Sequence, residues 1–509
     1  MDESGAIAYT GRVSRSRRFA GNVGWSLAGQ GGTIAVNFIA IPYLLRGFGA
    51  EAYGVYLLVY VAGNYLGLFQ FGAGLATIKY VAEAKAAGED RALRQAVSHS
   101  AAIHFFGVGA AAAALSLAAG PLSRSFFDVP PYYQERAVWL LRAAAVGGLF
   151  SAGSQWVAAS FQGLQRFAWP SALALLQSLL TPLGLAAILL LGRGLGAAAV
   201  WYAAVQALVF ALGATALLGA LGEHRGQTGR LSFRAFARYG LSFWPAALSG
   251  VAAGQIDKTF VAGLLGMADL TYYAVPSGIL SRLQTLPSTI SHALMPVLSE
   301  SGRLDGREAL TAVYLRATRG MLALCAPAVG LLFALMPQLL ALWLGPAFGA
   351  RAAPAARLLV AAQAFALIFH APNALAGGLG GGRYASTAAW GQALLSLALW
   401  PVLIPRWGIA GAAAGSLAAQ ASASLFYLDA AHRRLLGLSW GRFLREAAAP
   451  IFLPASVLLA LAWAGRGLAW TWPGFLGVGA GAGAAYVVLL WPSLPREDRR
   501  TAMRLLGRA

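Results

Sequence analysis

The chain has 509 residues, of which 58% are hydrophobic and only 11% are charged. A soluble globular protein carries about 25% charged residues to cover its surface, so this composition excludes that class. The formal net charge of +20 would fit nucleic-acid binding, but the basic residues cluster between apolar runs, as they do in membrane proteins. We therefore expect membrane lipids, and no nucleic acid, as partners of the chain.

Apolar runs of about 20 residues, the length that crosses a bilayer as a helix, recur along the whole chain. The first run follows Arg12, Arg15, Arg17 and Arg18. It is longer than a signal-peptide core of about 7–15 residues, so we expect a retained membrane helix. Fourteen membrane helices are predicted, at residues 19–45, 54–78, 96–119, 137–161, 168–191, 195–221, 239–264, 270–296, 313–336, 355–378, 384–404, 407–428, 446–464 and 472–492.

The connections between these runs alternate in charge. If the N-terminus is cytoplasmic, most of the 38 lysine and arginine residues fall in the connections on that same side. This bias predicts that both termini are cytoplasmic and that the number of spans is even.

The two halves of the chain repeat a charge pattern at an offset of about 220 residues. The matched positions are Arg18 with Arg238, Glu51 with Asp269, and Glu83 with Glu300. Both copies begin on the same side, which is typical of parallel repeats related by a pseudo-two-fold along the membrane normal. We expect an all-α membrane protein with two six-helix lobes around a central cavity. The predicted boundaries are 1–222 for the first lobe, 223–430 for the second, and 431–509 for two extra helices and a basic tail.

The apolar stretch GVAAGQIDKTFVAGLLG contains Asp257 and Lys258 side by side. A charge at the centre of a membrane helix costs about 2.5–3.5 kcal/mol, so both side chains should face protein or water. Neighbours on a helix point about 100° apart, so each is expected to find its own partner. Two interpretations stay open: salt bridges to other helices, or the lining of a cavity in which Lys258 holds an anion.

Other polar residues lie inside predicted spans. Arg282 stands between two prolines and either faces a cavity or reaches to the membrane surface. Gln255 and Asn37 either bind sugars or join helices. No phosphate-binding loop, H-E-x-x-H, C-x-x-C or G-x-S-x-G motif occurs, so we expect no enzyme and no cofactor.

Three stretches share a pattern with known transporters: RFAGNVGWSLAGQGGTIAVNFIAIPYLLRGFGAEAYGVYLLV, GAGLATIKYVAEAKA and QIDKTFVAGLLGMADLTYYAV. They resemble the polysaccharide-type (Wzx-like) flippases of the MOP exporter superfamily, and the resemblance covers the whole chain. That family moves undecaprenyl-diphosphate-linked oligosaccharides, such as O-antigen or capsule precursors, to the periplasmic leaflet of the bacterial inner membrane without ATP. Polysaccharide polymerases and glycosyltransferases of the same pathway are the implied partners.

The resemblance also implies roles for individual residues. Lys258 and Arg282, with Gln255 and Asn37, would bind the substrate's diphosphate and sugars. Asp257 matches the acidic position of the family's seventh helix and would couple transport to H⁺ or Na⁺. The repeat, and not the resemblance, suggests the remaining role: Glu83 and Glu300, at equivalent helix ends, would form a cytoplasmic gate.

Three other functions stay open. A cation-coupled multidrug antiporter of the MATE type would favour an acidic interior, whereas the charges here are two basic to one acidic. Lipid II flippases resemble the chain less, because they place arginines within the first two helices. A membrane glycosyltransferase would need a larger outward loop than any found here.

Overall fold

The computed structural model describes residues 31–127, 129–304, 306–379 and 381–505, which are almost all helical and contain no strand. The helices gather into two compact units. The first unit reaches to Val251, and the second takes the rest of the chain apart from Gly266–Ala268, which pack with the first. The lobe boundaries 1–222, 223–430 and 431–509 stay a prediction.

The first unit contains eight helices and the start of a ninth. They are α1 (Gly31–Phe48), α2 (Ala50–Leu66), α3 (Ala73–Ala87), α4 (Asp90–Ala102), α5 (Val108–Pro121), α6 (Pro131–Gly163), α7 (Ala168–Leu190), α8 (Leu195–Leu221) and α9 (Phe233–Leu264). A π turn at Ile103–Gly107 joins α4 to α5. Proline at the first position of α6 fits a helix start, because an N–H there has no helical partner.

The second unit contains the end of α9 and ten further helices. They are α10 (Met267–Leu280), α11 (Thr285–Leu304), α12 (Gly306–Leu344), α13 (Pro346–Ile368), α14 (His370–Leu379), α15 (Gly382–Ala430), α16 (Trp440–Phe443), α17 (Ala449–Gly465), α18 (Trp472–Ser493) and α19 (Arg496–Leu505). Thr471 begins α18 by accepting a hydrogen bond from the N–H of Gly474 at 3.2 Å.

The fourteen predicted spans all fall on helices of this list, although residues 19–30 of the first span and Arg18 lie outside the described residues. Eleven helices in the described part are long and apolar enough to cross a membrane. One of these, α15 with its extension, covers two predicted spans, and the non-helical backbone of Gly408 (φ 58°, ψ −140°) interrupts it at the start of the second. The predicted all-α membrane fold is confirmed.

Two predicted spans are interrupted at equivalent places. In span 54–78, the 3₁₀ turn Gly67–Gln70 and left-handed residues Phe71 and Gly72 separate α2 from α3. In span 270–296, the 3₁₀ turn Ser281–Gln284 separates α10 from α11. The prediction of two continuous helices was wrong here, because runs of apolar residues do not reveal a break in the backbone hydrogen bonding.

The matched acids Glu51 and Asp269 have equivalent contacts in the two units. Tyr132, at the start of α6, donates its hydroxyl to Glu51 Oε2 at 2.5 Å. Arg351, at the start of α13, forms an ion pair with Asp269 at 2.9 Å. Glu51 therefore links α2 to α6 in the first unit, and Asp269 links α10 to α13 in the second. These matched links agree with the repeat predicted from the sequence.

Close helix packing depends on small residues, while large apolar side chains face outward. On α6, a Cβ at Gly147 would lie 2.4 Å from the Tyr202 ring, and one at Gly153 would lie 2.6 Å from Phe210. Small residues at such interfaces let membrane helices approach each other. Phe106 and Leu190 are 81% and 79% exposed, which suits a surface covered by lipid and not by water. The chain is a multi-pass membrane protein.

Candidate functional site

A buried carboxylate lies at the centre of a polar cluster in the second unit. Asp257 on α9 is 4% exposed, and its Oδ2 accepts a hydrogen bond from the Tyr273 hydroxyl of α10 at 2.8 Å. The same hydroxyl lies 3.4 Å from Ser416 Oγ on α15. The indole N–H of Trp400 donates to Ser416 Oγ at 3.3 Å and to the Ala412 carbonyl at 3.2 Å. Helices α9, α10 and α15 are thus joined through the Tyr273 hydroxyl.

Lys258 is bound to its own neighbour. Its Nζ lies 3.2 Å from Asp257 Oδ1 and donates to the Gly254 carbonyl at 2.6 Å. The expectation that the two residues need separate partners was wrong, because the four-carbon lysine chain bends back along the helix and carries its ammonium past the carboxylate. The lysine and aspartate side chains are only 14% and 6% exposed. The pair is therefore neutralised within one helix.

A second polar chain crosses the break between α10 and α11. His370 donates its Nε2–H to Gln284 Oε1 at 2.6 Å, and Gln284 Nε2 donates to Gln363 Oε1. These bonds join the 3₁₀ turn to the end of α13 and the start of α14. Arg282, in the same turn, is exposed and makes no hydrogen bond or ion pair with any described residue. Its guanidinium is therefore available for an anion.

The comparisons with known proteins identify the family. A model of the family described as "Polysaccharide biosynthesis protein" matches residues 19–301, more than half of the chain. This chain belongs to that family. No curated protein sequence matches it.

Solved structures show the fold of this family member. It is similar to the lipid II flippase MurJ in an inward closed conformation, with a TM-score of 0.69, 12% identity, and coverage of 92% of this chain and 98% of that one. The chain is also similar to an inward-facing multidrug resistance MATE transporter of the MOP superfamily, with a TM-score of 0.65 and 17% identity. That match covers 82% of this chain and 96% of the transporter. A MOP superfamily transporter from Pyrococcus furiosus matches with a TM-score of 0.56 and 16% identity, over 81% of this chain and 95% of that one. The chain thus shares its fold with these transporters and this flippase.

The remaining predicted site residues are divided between the units: Asn37 and Glu83 belong to the first, and Gln255 and Glu300 belong to the second. Gln255 is two residues before Asp257 on α9, so its side chain points about 200° away around the helix. Asn37 is in the first unit, where its amide donates to the Thr33 carbonyl at 2.8 Å. Glu83 is exposed and lies 3.6 Å from Lys79 Nζ, and Glu300 is exposed at the end of α11. Their roles in binding and gating stay predictions.

Three residues of the cluster were not anticipated from the sequence. Asp257 and Tyr273 are separated from Leu265, in the turn between α9 and α10, by the same number of residues. In a helical hairpin such positions lie side by side, so the sequence could have suggested this contact. Ser416 is 143 residues from Tyr273, and no local pattern connects it or Trp400 with Asp257.

Replacing Tyr273 by Phe is expected to lower the free energy of unfolding by about 1–3 kcal/mol, because Asp257 loses a hydrogen bond to a charged group. Thermal unfolding of the purified protein in detergent measures the change. Tyr272→Phe is the matched control, since the ring of Tyr272 packs on Phe348 and Arg351 and keeps those contacts. Equal melting of both variants would show that the Tyr273 hydroxyl does not support Asp257.

Proposed function

We propose that this family member is a flippase that moves an undecaprenyl-diphosphate-linked oligosaccharide from the cytoplasmic to the periplasmic leaflet by alternating access. The observation that carries the proposal is the buried Asp257–Lys258 pair, in the same unit as Arg282, which is unpaired among the described residues. The family's place in polysaccharide biosynthesis and the fold shared with a lipid II flippase support it. A diphosphate needs cations in a dry site, and a lysine and an arginine supply them.

The Asp257–Lys258 contact suggests how coupling to a cation would work. In the described state the lysine ammonium is held by the carboxylate. A proton or Na⁺ on Asp257 would remove the negative charge that attracts Lys258 Nζ. The freed ammonium would then bind a diphosphate oxygen, so a cation on Asp257 and a diphosphate on Lys258 would each favour the binding of the other. Coupling would thus be a competition between two anions for one ammonium group.

Arg282 would hold the diphosphate from a second side. Its 3₁₀ turn departs from α-helical geometry, and such breaks at membrane depth occur where the backbone lines a polar site. The His370–Gln284–Gln363 chain fixes this turn, so the arginine is presented from a supported position. Gln255 and Asn37 are proposed as sugar contacts, and Glu83 and Glu300 as gate residues. We also propose the bacterial inner membrane, cytoplasmic termini, and the pathway's polymerase and glycosyltransferases as setting and partners.

The test is translocation of a diphosphate-lipid-linked oligosaccharide in proteoliposomes. We expect activity in the wild type and a loss of about tenfold or more in Arg282→Gln, because a charge-assisted bond to phosphate is removed. Arg193→Gln is the control, since Arg193 is an exposed arginine in the turn between α7 and α8. An inactive wild type, or equal activity of Arg282→Gln and the control, would contradict the proposal.

A MATE-like antiporter is the second candidate, favoured by the buried carboxylate of Asp257 and the MATE-like fold. Such a protein would export a cationic drug in exchange for H⁺ or Na⁺. Export of a fluorescent organic cation from the same proteoliposomes, without movement of the lipid-linked oligosaccharide, would support this function in place of the first.

A further inference from the structure

Arg357 on α13 lies in a helical stretch, Pro346–Leu379, that is long and apolar enough to cross a membrane. Its Nε and Nη2 donate to the carbonyls of Phe333 and Ala334 on α12, each at 3.3 Å. Pro337 explains the contact: proline has no N–H, so the Phe333 carbonyl four residues earlier loses its helical donor. Arg357 supplies a replacement. These two bonds are to neutral acceptors, so the positive charge itself stays uncompensated by them.

A second guanidinium shares the same aromatic ring. Arg357 lies 4.9 Å from the centroid of the Trp463 ring, and Arg466 lies 4.4 Å from it. Gln338 donates to the Arg466 carbonyl at 3.1 Å, which fixes the turn between α17 and α18 against α12. Two like charges at one ring repel each other, and an anion between them would be favoured.

Neither guanidinium has an acidic partner in the described part of the chain. By contrast, Arg351, six residues earlier on α13, is paired with Asp269 at 2.9 Å. An arginine at this end of α13 can therefore be neutralised by the protein, but the pair at Trp463 is not. Because charged groups within membrane proteins are usually paired, we expect an anion from outside the chain to neutralise the Arg357 and Arg466 guanidinium groups.

An apolar cavity of about 380 Å³ opens beside Arg357. Its other walls include Pro337, Ala341, Pro346, Ala353, Pro354 and Trp470. Trp463 and Trp470 are 39% and 54% exposed, as tryptophans are at the membrane–water interface. A free inorganic anion would gain nothing from these walls, whereas an acyl chain would bury apolar surface there.

We propose that Arg357 and Arg466 bind the phosphate of an anionic phospholipid whose acyl chain lies in this cavity. The site is in the second unit and does not involve Asp257, Lys258 or Arg282. It joins α12 and α13 to the α17–α18 hairpin, so the lipid would stabilise the attachment of that hairpin. The positive-inside pattern places the connecting turns on the outward side, so the phospholipid would come from the periplasmic leaflet.

The experiment compares phosphatidylglycerol with phosphatidylcholine of the same acyl chains, added to the delipidated full chain in detergent. We expect native mass spectrometry to show at least about tenfold preference for phosphatidylglycerol. Phosphatidylglycerol should also raise the melting temperature of the protein more than phosphatidylcholine does. Arg466→Gln and Arg357→Gln are expected to lose this preference, and Arg351→Gln is expected to keep it. Arg466→Gln matters most, because among the described residues its side chain packs on the Trp463 ring and makes no hydrogen bond or ion pair, so its loss should not affect folding.

Three results would overturn the proposal. Equal binding of the two lipids would show that no anion is recognised. A phosphatidylglycerol preference retained in Arg466→Gln would place the lipid elsewhere. Stabilisation by inorganic phosphate alone to the same extent as by phosphatidylglycerol would show that the apolar cavity takes no part.

Discussion

Replacing Lys258 alone by Met is expected to destabilise the protein, whereas replacing Asp257 by Asn as well should restore its stability without restoring transport. The single change leaves a buried carboxylate without its cation, which costs about 3–5 kcal/mol. The double change removes both charges and leaves an amide oxygen at position 257 that can still accept the Tyr273 hydrogen bond. Transport should fall about 10–100-fold in the double variant, because the diphosphate loses one charge-assisted contact. Thermal unfolding in detergent and translocation in proteoliposomes measure the two effects separately.

A matched control is the more exposed ion pair of the same unit, Asp269 with Arg351. The double replacement Asp269→Asn with Arg351→Gln should change the free energy of unfolding by less than about 1 kcal/mol, since exposed pairs contribute little, and should leave transport intact. If the Asp257→Asn, Lys258→Met variant is both stable and fully active, the buried pair is a structural bridge and not a substrate site.

Replacing Gly72 by Ala is expected to lower the free energy of unfolding by about 2–6 kcal/mol, the sum of a strained backbone and a forced displacement. Gly72 has φ +72° at the break between α2 and α3, and a Cβ there would lie 2.2 Å from the Gly240 carbonyl of α9. The new Cβ would collide with backbone atoms of Gly240, so no side chain can rotate away to relieve the contact. Reduced yield and a lower melting temperature would be the measured result.

Gly74→Ala is the control for this change. Gly74 is two residues further along, inside α3, and a Cβ there would meet nothing within 4 Å. Alanine is favoured over glycine inside a helix, so this variant should melt at or slightly above the wild-type temperature. Identical melting of Gly72→Ala and Gly74→Ala would refute the close approach of α3 to α9.

The fold was largely predictable because apolar length and charge clusters directly reflect the bilayer. The described part of every predicted span falls on one or two helices, and the separation at 404–407 lies next to the non-helical Gly408. The breaks at Gly67–Gly72 and Ser281–Gln284 were missed, since 3₁₀ and left-handed residues depend on local hydrogen bonds that hydropathy does not record. Glycine and alanine occur throughout this chain, so neither marks a break by itself.

The candidate site was predictable only in part. Asp257 and Lys258 stand out because charges are rare in apolar spans, but their mutual contact depends on a lysine conformation. Ser416 and Trp400 reach Tyr273 through the packing of α15, which one sequence cannot reveal. Arg357 lies near the start of the predicted span 355–378, where arginine is ordinary. The structure begins α13 at Pro346, which places that arginine well inside the helix.

The two hairpin contacts described above differ in chemistry although they occupy matched positions. The first unit uses an uncharged donor, Tyr132, on Glu51, and the second uses the charged Arg351 on Asp269. Dissolved ions screen an exposed ion pair with a Debye length of about 8 Å at physiological ionic strength, and they affect a hydrogen bond from a neutral hydroxyl much less. The Arg351–Asp269 contact should therefore weaken as the salt concentration rises, and the Tyr132–Glu51 contact should change much less. The two halves of the protein would then differ in how their stability depends on ionic strength.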